Sequence, residues 1–244
     1  MADARQPTRT FLSATWRYLA MLNYEIDPAV LQPHLPRGLE VDTWQGRAFV
    51  SMVGFMFLDT RVLGLAIPWH RNFEEVNLRY YVRQADRADA PRAVVFVKEI
   101  VPRPAIAWTA RAVYGERYVH LPMRHQIGYA AGAPASVEYG WRFRGRWQRL
   151  GVRPQGSPQP MTPGSEEEFI AEHYWGYANQ RGRTVEYAVE HPPWRVWQVD
   201  ESWLECNVAG LYGPEFAPFL RSAPSSAFLA EGSTVTVRPG RRLS

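Results

Sequence analysis

Cysteine is nearly missing from this chain. Cys206 stands alone, which excludes an intrachain disulfide framework and a cysteine-built metal site. Lysine is equally scarce. Of 28 lysine and arginine residues, only Lys98 is lysine. A GC-rich coding sequence produces such a bias, and arginine-rich ion pairing against heat is the weaker reading. No uncharged apolar run reaches about 18 residues, so no spanning helix is expected. The opening MADARQPTRTFL has no apolar signal-peptide core. These absences make a cytoplasmic protein without a membrane partner the default expectation. There is no Gly-x-Gly-x-x-Gly turn, no P-loop and no His-Glu-x-x-His. The six histidines are scattered, so neither metal nor cofactor is expected. The net charge of +4 comes without a long basic block, and nucleic acid is not implied by charge.

What is present is an ordinary globular balance. Apolar residues make up 46%, enough to fill a substantial core. Phe11 to Ile26 reads as a long strand. Asp27-Pro28 then opens a short helix, with Asp27 as N-cap. Leu39 to Val41, Ala48 to Leu58, Phe73 to Arg83 and Ala93 to Ile100 read as further strands. Ala105 to Tyr114 has helical composition, with Gly115 as its stop. Glu138 to Val152 reads as a hairpin turning near Arg144-Gly145. The proline- and glycine-rich Pro154 to Gly164 reads as a loop. Ser165 to Glu168 matches a capping box and opens a helix carrying Phe169, Ile170 and His173, closed by Gly176. Many strands with few short helices predict a mainly β (α+β) protein, a bent antiparallel sheet or barrel. Residues 1–244 read as a single domain, since the chain after Pro154 is small for a core of its own.

Four places could carry chemistry. In Phe73 to Val82, strand alternation puts Glu75, Asn77, Arg79 and Tyr81 on one face. That stripe is either a solvated strand face or the polar lining of a ligand cavity. Lys98, in AVVFVKEIV, shares a face with Val94, Phe96 and Ile100, while Val95, Val97 and Glu99 face the other way. Held against apolar surface, its amine would lose basicity and become nucleophilic. Alternatively, its stem covers apolar surface and its head reaches a polar partner. Glu172-His173 suggests acid/base work beside an aromatic wall of Tyr174, Trp175 and Tyr177. The alternative is a helix end packed by aromatics. Trp141 to Trp147 interleaves arginines with aromatics, either a base-stacking hairpin or a plain one that buries Trp141 and Phe143.

Three segments carry a family resemblance. They are FLSATWRYLAMLNYEIDPAVLQPHLPRGLEVDTWQGRAFVSMVGFMF (Phe11 to Phe57), FEEVNLRYYV (Phe73 to Val82) and EHYWGY (Glu172 to Tyr177). Together they resemble the YqjF-like family of uncharacterised proteins, which has a distant fold relationship to acetoacetate decarboxylase. The resemblance implies an acetoacetate-decarboxylase-like barrel. It places the catalytic-site glutamate of the decarboxylase on Glu75 and an active-site arginine on Arg111. Its pocket arginine falls on Glu25, and its paired lysines fall near Tyr118 and Val119. Neither of those can form a Schiff base, so the fold is implied without the reaction. Lys98 is not at the matching position.

The expected function is therefore a barrel that takes a small organic ligand, with Glu75, Lys98 and His173 as candidate catalytic groups. Asn77, Arg79, Arg111, Tyr118, Glu172, Tyr174, Trp175 and Tyr177 are the candidate ligand contacts. An acid/base or lyase-like enzyme and a non-catalytic binding or sensing protein both fit. A nucleic-acid or protein interaction module is the more distant reading.

Overall fold

In the computed structural model, residues 10–87, 90–108 and 115–243 are described. The first strands are β1 (Leu12–Ile26), β2 (Leu39–Val41), β3 (Ala48–Val62), β4 (Leu65–Ala66), β5 (Phe73–Gln84) and β6 (Ala93–Val101). Next come β7 (Tyr118–His120), β8 (Met123–Ala130), β9 (Ala133–Phe143) and β10 (Arg146–Pro160). The last are β11 (Trp175–Gln180), β12 (Arg183–Glu190), β13 (Arg195–Glu205), β14 (Ser226–Ala230), β15 (Thr234–Val237) and β16 (Arg241–Arg242). Helices are few and short, and none is long and apolar enough to cross a membrane among the described residues.

Strands β3, β5, β6, β11, β12, β15 and β1 follow one another in hydrogen-bond order. β1 then pairs back on β3, which closes a barrel. β1 is the pivot. Its first residues, Leu12 to Thr15, pair with β15, and Leu19 to Asn23 pair with β14. A bulge between Arg17 and Ala20, with Tyr18 at φ 56, redirects the strand between these partners. From β14 the sheet runs on through β13, β10, β9 and β8. This second half lies over the outside of the barrel.

The period-two rule now sorts two cores. Inside the barrel lie Leu19, Met21, Phe49, Val53, Phe55, Phe57, Phe73 and Tyr81. Between barrel and outer sheet lie Leu22, Val50, Met52, Val76, Leu78, Tyr80, Tyr139, Trp141 and Leu150. Gly54 lets the layers meet, since a Cβ there would sit 2.6 Å from the Tyr139 ring. Trp141 is fully buried while Arg142 and Arg144 are exposed, as in a plain hairpin. Its turn is Arg144-Gly145, with φ 49 and 80.

Three local expectations need correction. Pro154 to Pro160 is strand, not loop. β10 runs through it along β13, where Pro154 faces Val199 and Pro160 faces Arg195, and the register shift between Gln155 and Gln159 leaves Pro158 without a paired residue. The helix capped by Ser165 ends at Ala171, so His173 lies beyond it. Gly176 does not close that helix. It belongs to β11, facing Tyr187 of β12, and a Cβ there would strike the Tyr187 ring at 2.3 Å.

Candidate functional site

The Glu166–Ala171 helix plugs one end of the barrel. Its Phe169 packs on Phe49 and Tyr81, with ring centroids 6.2 and 5.3 Å apart. Arg79 Nη2 donates to the Ile170 carbonyl at 3.0 Å, tying β5 to the plug. Above the plug lies a cavity of ≈ 220 Å³ that opens between the β3–β4 hairpin and a helical segment at 104–108. Its wall is aromatic. Trp16 packs edge-on against Phe55 at 5.0 Å, and Phe57 stacks on Phe73 at 4.6 Å.

The floor is acidic. Glu75 and Asn77 point inward from β5, as alternation requires. Asn77 pairs in register with Glu99 of β6, and Glu99 with Tyr118 of β7. Three polar side chains thus line up across three strands. Glu116, two residues before Tyr118, shares its inward direction and is buried. Asn77 Nδ2 donates to Glu75 Oε1 at 3.0 Å, and the Tyr118 hydroxyl donates to Glu75 Oε2 at 3.0 Å. The Tyr187 hydroxyl donates to Glu116 Oε1 at 2.7 Å.

Burial dominates the electrostatics of this floor. Desolvation pushes Glu75 up to about 7, although Asn77, Tyr118 and Arg79 each favour its charged form. Glu116 is pushed up to about 8 by desolvation, with the charge of Glu75 adding to it. Glu99 rises well above the usual carboxylate range through desolvation, reinforced by Glu116 and Glu75. Glu75 is therefore the first of the three to ionise, and the cluster titrates as a unit. His173 is driven well below the ordinary imidazole value by desolvation and by the Arg79 and Arg92 charges. It is neutral at pH 7. It lines the cavity against Tyr81, at 4.8 Å, and neither ring nitrogen has a hydrogen-bond partner. Asn77 Oδ1, Arg79 Nε and Glu99 Oε2 are also buried without partners. Polar atoms left unpaired around one cavity are what a ligand's polar head would satisfy.

Of the sequence candidates, the barrel gathers Glu75, Asn77, Arg79, Tyr118, His173 and Trp175 around the cavity. Glu75 and Arg79 do not pair directly. Glu75 is held by Asn77 and Tyr118, and Arg79 by the Ile170 carbonyl. Four other candidates lie elsewhere. Tyr177 is fully buried in the core behind the barrel wall, its hydroxyl accepting from Gln84 at 2.8 Å. Glu172 and Tyr174 hydrogen-bond to each other outside the cavity lining. Lys98 is the sharpest correction. A bulge in β6 opposes Leu78 to Lys98 but Arg79 to Phe96, leaving Val97 as the extra residue. Beyond that point every side chain changes face. Lys98 joins Val95, Val97 and Ile100 on the outer face, and Glu99 takes the inner one. The Lys98 ammonium donates to the Leu211 carbonyl. Its basicity falls by burial and the nearby Arg117 charge, yet it does not reach the cavity. Glu25 is exposed and pairs with Arg47. Arg111 lies outside the described residues.

Sequence reasoning missed Glu99, Glu116 and Tyr187. Nothing local marks the Val97 bulge, which has neither glycine nor proline beside it. Glu116 was legible through its two-residue spacing from Tyr118.

Residues 13–234 match DUF2071, described as an uncharacterized conserved protein. The uncharacterized protein YqjF of Bacillus subtilis (strain 168) is 26% identical over 219 residues, covering 86% of each chain. Among solved structures, acetoacetate decarboxylase from Legionella pneumophila aligns with a TM-score of 0.65 at 12% identity, covering 100% of this chain and 92% of the other. An acetoacetate decarboxylase-like enzyme from Sphingomonas wittichii RW1 gives 0.66 at 14%, covering 100% and 99%. The enduracididine biosynthesis enzyme MppR, complexed with pyruvate, gives 0.66 at 15%, covering 99% and 93%. These likenesses show an acetoacetate-decarboxylase-like fold.

Proposed function

The chain belongs to the DUF2071 family of uncharacterized conserved proteins, and from its cavity we propose that it binds a small carbonyl compound with an apolar body and moves a proton next to that carbonyl. One observation carries the reading. Three carboxyl groups and two phenols converge from separate segments on the floor of an aromatic-walled cavity. A carboxyl held near pH 7 serves as acid or base at neutral pH, and Glu75 is pushed up to about 7.

The step is an enolisation. Glu75 carboxylate takes a proton from the carbon beside the carbonyl. The C–H electron pair becomes a C–C double bond, and the carbonyl oxygen receives a proton from Glu99, which burial keeps protonated. The enol returns to the ketone by the reverse transfers, so no further reactant is consumed. Tyr118 and Asn77 hold Glu75 in place, and Arg79 steadies negative charge as it develops. An imine route has no support, because the chain's only lysine lies on the far face of β6. That MppR was obtained with pyruvate in place is in keeping with a small carbonyl ligand for this fold. The alternative is a binding or sensing protein that uses the same cavity without turnover.

The test is proton exchange in heavy water. Butanone, benzylacetone and pyruvate are incubated with the protein, and loss of the proton beside the carbonyl is followed by NMR. Exchange above the buffer rate is expected for at least one, with Glu75→Gln slowing it on the order of a hundredfold or more. Saturable binding without exchange selects the sensing protein. Neither binding nor exchange across a broad carbonyl panel refutes both.

A further inference from the structure

Seven large hydrophobic side chains stand exposed among the described residues. Two have partners. Tyr129 hydrogen-bonds Tyr18 at 2.9 Å, and the Arg124 guanidinium lies 4.2 Å over Trp147. The other five are Leu63, Leu65, Ile67, Trp69 and Trp108. All five fall on the two segments that rim the cavity mouth. Ile67 and His70 line it from the β3–β4 side, and Ala105 and Ile106 line it from the 104–108 side. Leu65 and Trp69 are 72% and 84% exposed and do not line the cavity. Scattered exposed hydrophobics need no explanation, but a group gathered around one opening does.

We propose that this rim is a docking surface for an anionic lipid bilayer. Its shape fits a soft phase. Every residue from 63 to 69 is exposed, so a narrow ribbon projects with apolar groups on both of its faces. The Leu63-Gly64 turn, with φ 51 and 84, makes the ribbon tight. A second copy of this chain would meet such a ribbon on one side only. Tryptophan and leucine at the tip suit the headgroup boundary, where an indole buries its ring and keeps its N–H in water. The charge fits as well. Arg61 lies at the base of the ribbon, Arg103 just before the 104–108 segment, and both are exposed. Asp59, near the ribbon's base, is taken up by Arg71 at 2.5 Å. With a chain charge of +4, the exposed Arg61 and Arg103 favour anionic headgroups at the mouth. The acidic floor lies deep in the cavity and is largely protonated. The docking does not depend on what the cavity does, although it would let an apolar ligand enter from the bilayer.

Co-sedimentation with phosphatidylcholine vesicles, with and without phosphatidylglycerol, tests this. The whole chain should bind the mixed vesicles at low salt, bind pure phosphatidylcholine more weakly, and release as salt rises. The double variant Leu65→Ser/Trp69→Ser should lose affinity on the order of ten- to a hundredfold, the scale set by two apolar side chains leaving a lipid environment. Because both residues are exposed, its circular dichroism and Tm should match the parent, which separates lost docking from lost folding. No binding to mixed vesicles, or equal binding by the double variant, overturns the proposal. A solution dimer that the double variant dissociates, without vesicle binding, assigns the rim to a second copy and also overturns it.

Discussion

Changing Glu116 to glutamine should alter how stability depends on pH. In the folded protein Glu116 is pushed up from its ordinary 4.5 to about 8 by desolvation. The folded state therefore keeps a proton that the unfolded chain releases. A raised carboxyl contributes its full stability below the ordinary value and loses it as pH climbs toward the folded value. Each unit in that window is worth about 1.4 kcal/mol. Between about pH 5 and pH 8, Glu116 alone should cost the parent roughly 3 kcal/mol. Glu75 and Glu99 shift in the same direction and add to the loss. At about 2–4 °C per kcal/mol for a chain of this size, the Tm should fall by about 6–12 °C. Glutamine keeps an Oε1 to accept from the Tyr187 hydroxyl but cannot ionise. Its Tm should stay near the parent's at about pH 5 and exceed it by several degrees at about pH 8. It should also lower the pKa of Glu99, by removing a neighbouring negative charge. Thermal unfolding followed by circular dichroism across this range measures both curves. Parallel curves would show that Glu116 is ionised in the folded state, and the account of the acidic floor would fail.

Three further outcomes are expected. Tyr118→Phe removes a donor that favours the Glu75 carboxylate, so the Glu75 titration, read by carbon NMR of the labelled carboxyl, should move upward from about 7; a downward move would contradict the hydrogen bond. Gly176→Ala places a methyl against the Tyr187 ring and should destabilise by roughly 1–3 kcal/mol in urea unfolding, with no loss expected if that ring can swing aside. Aldehydes or ketones followed by borohydride should leave Lys98 unmodified in peptide mass spectra, since its ammonium donates to the Leu211 carbonyl away from the cavity; a stoichiometric adduct there would reverse the face assigned to it.

The local signals in this chain carried a long way. Two-residue alternation put Glu75, Asn77 and Arg79 on one side of β5, because side-chain direction in a regular strand depends only on spacing. Asp27 and Ser165 announced their helices, since a cap is a contact between near neighbours: Asp27 Oδ1 accepts from Ala29 N, and Ser165 Oγ from Glu168 N. The family resemblance supplied the barrel and pointed the Glu75 stripe inward. Tertiary structure decided the rest. β5 is buried on both faces, so its composition alone could not say which face lines a cavity and which meets the outer sheet. The bulge at Val97 exchanged the faces of Lys98 and Glu99, a one-residue slip set by pairing with β5 and unmarked in AVVFVKEIV. Pro154 to Pro160 stayed extended as part of β10, paired with β13 across two register shifts that a proline-rich composition does not announce. The raised pKa values of Glu75, Glu99 and Glu116 belong to none of these residues singly. They arise where β5, β6 and the segment leading into β7 bring the carboxyl groups together out of water, a juxtaposition that exists only once the barrel has closed.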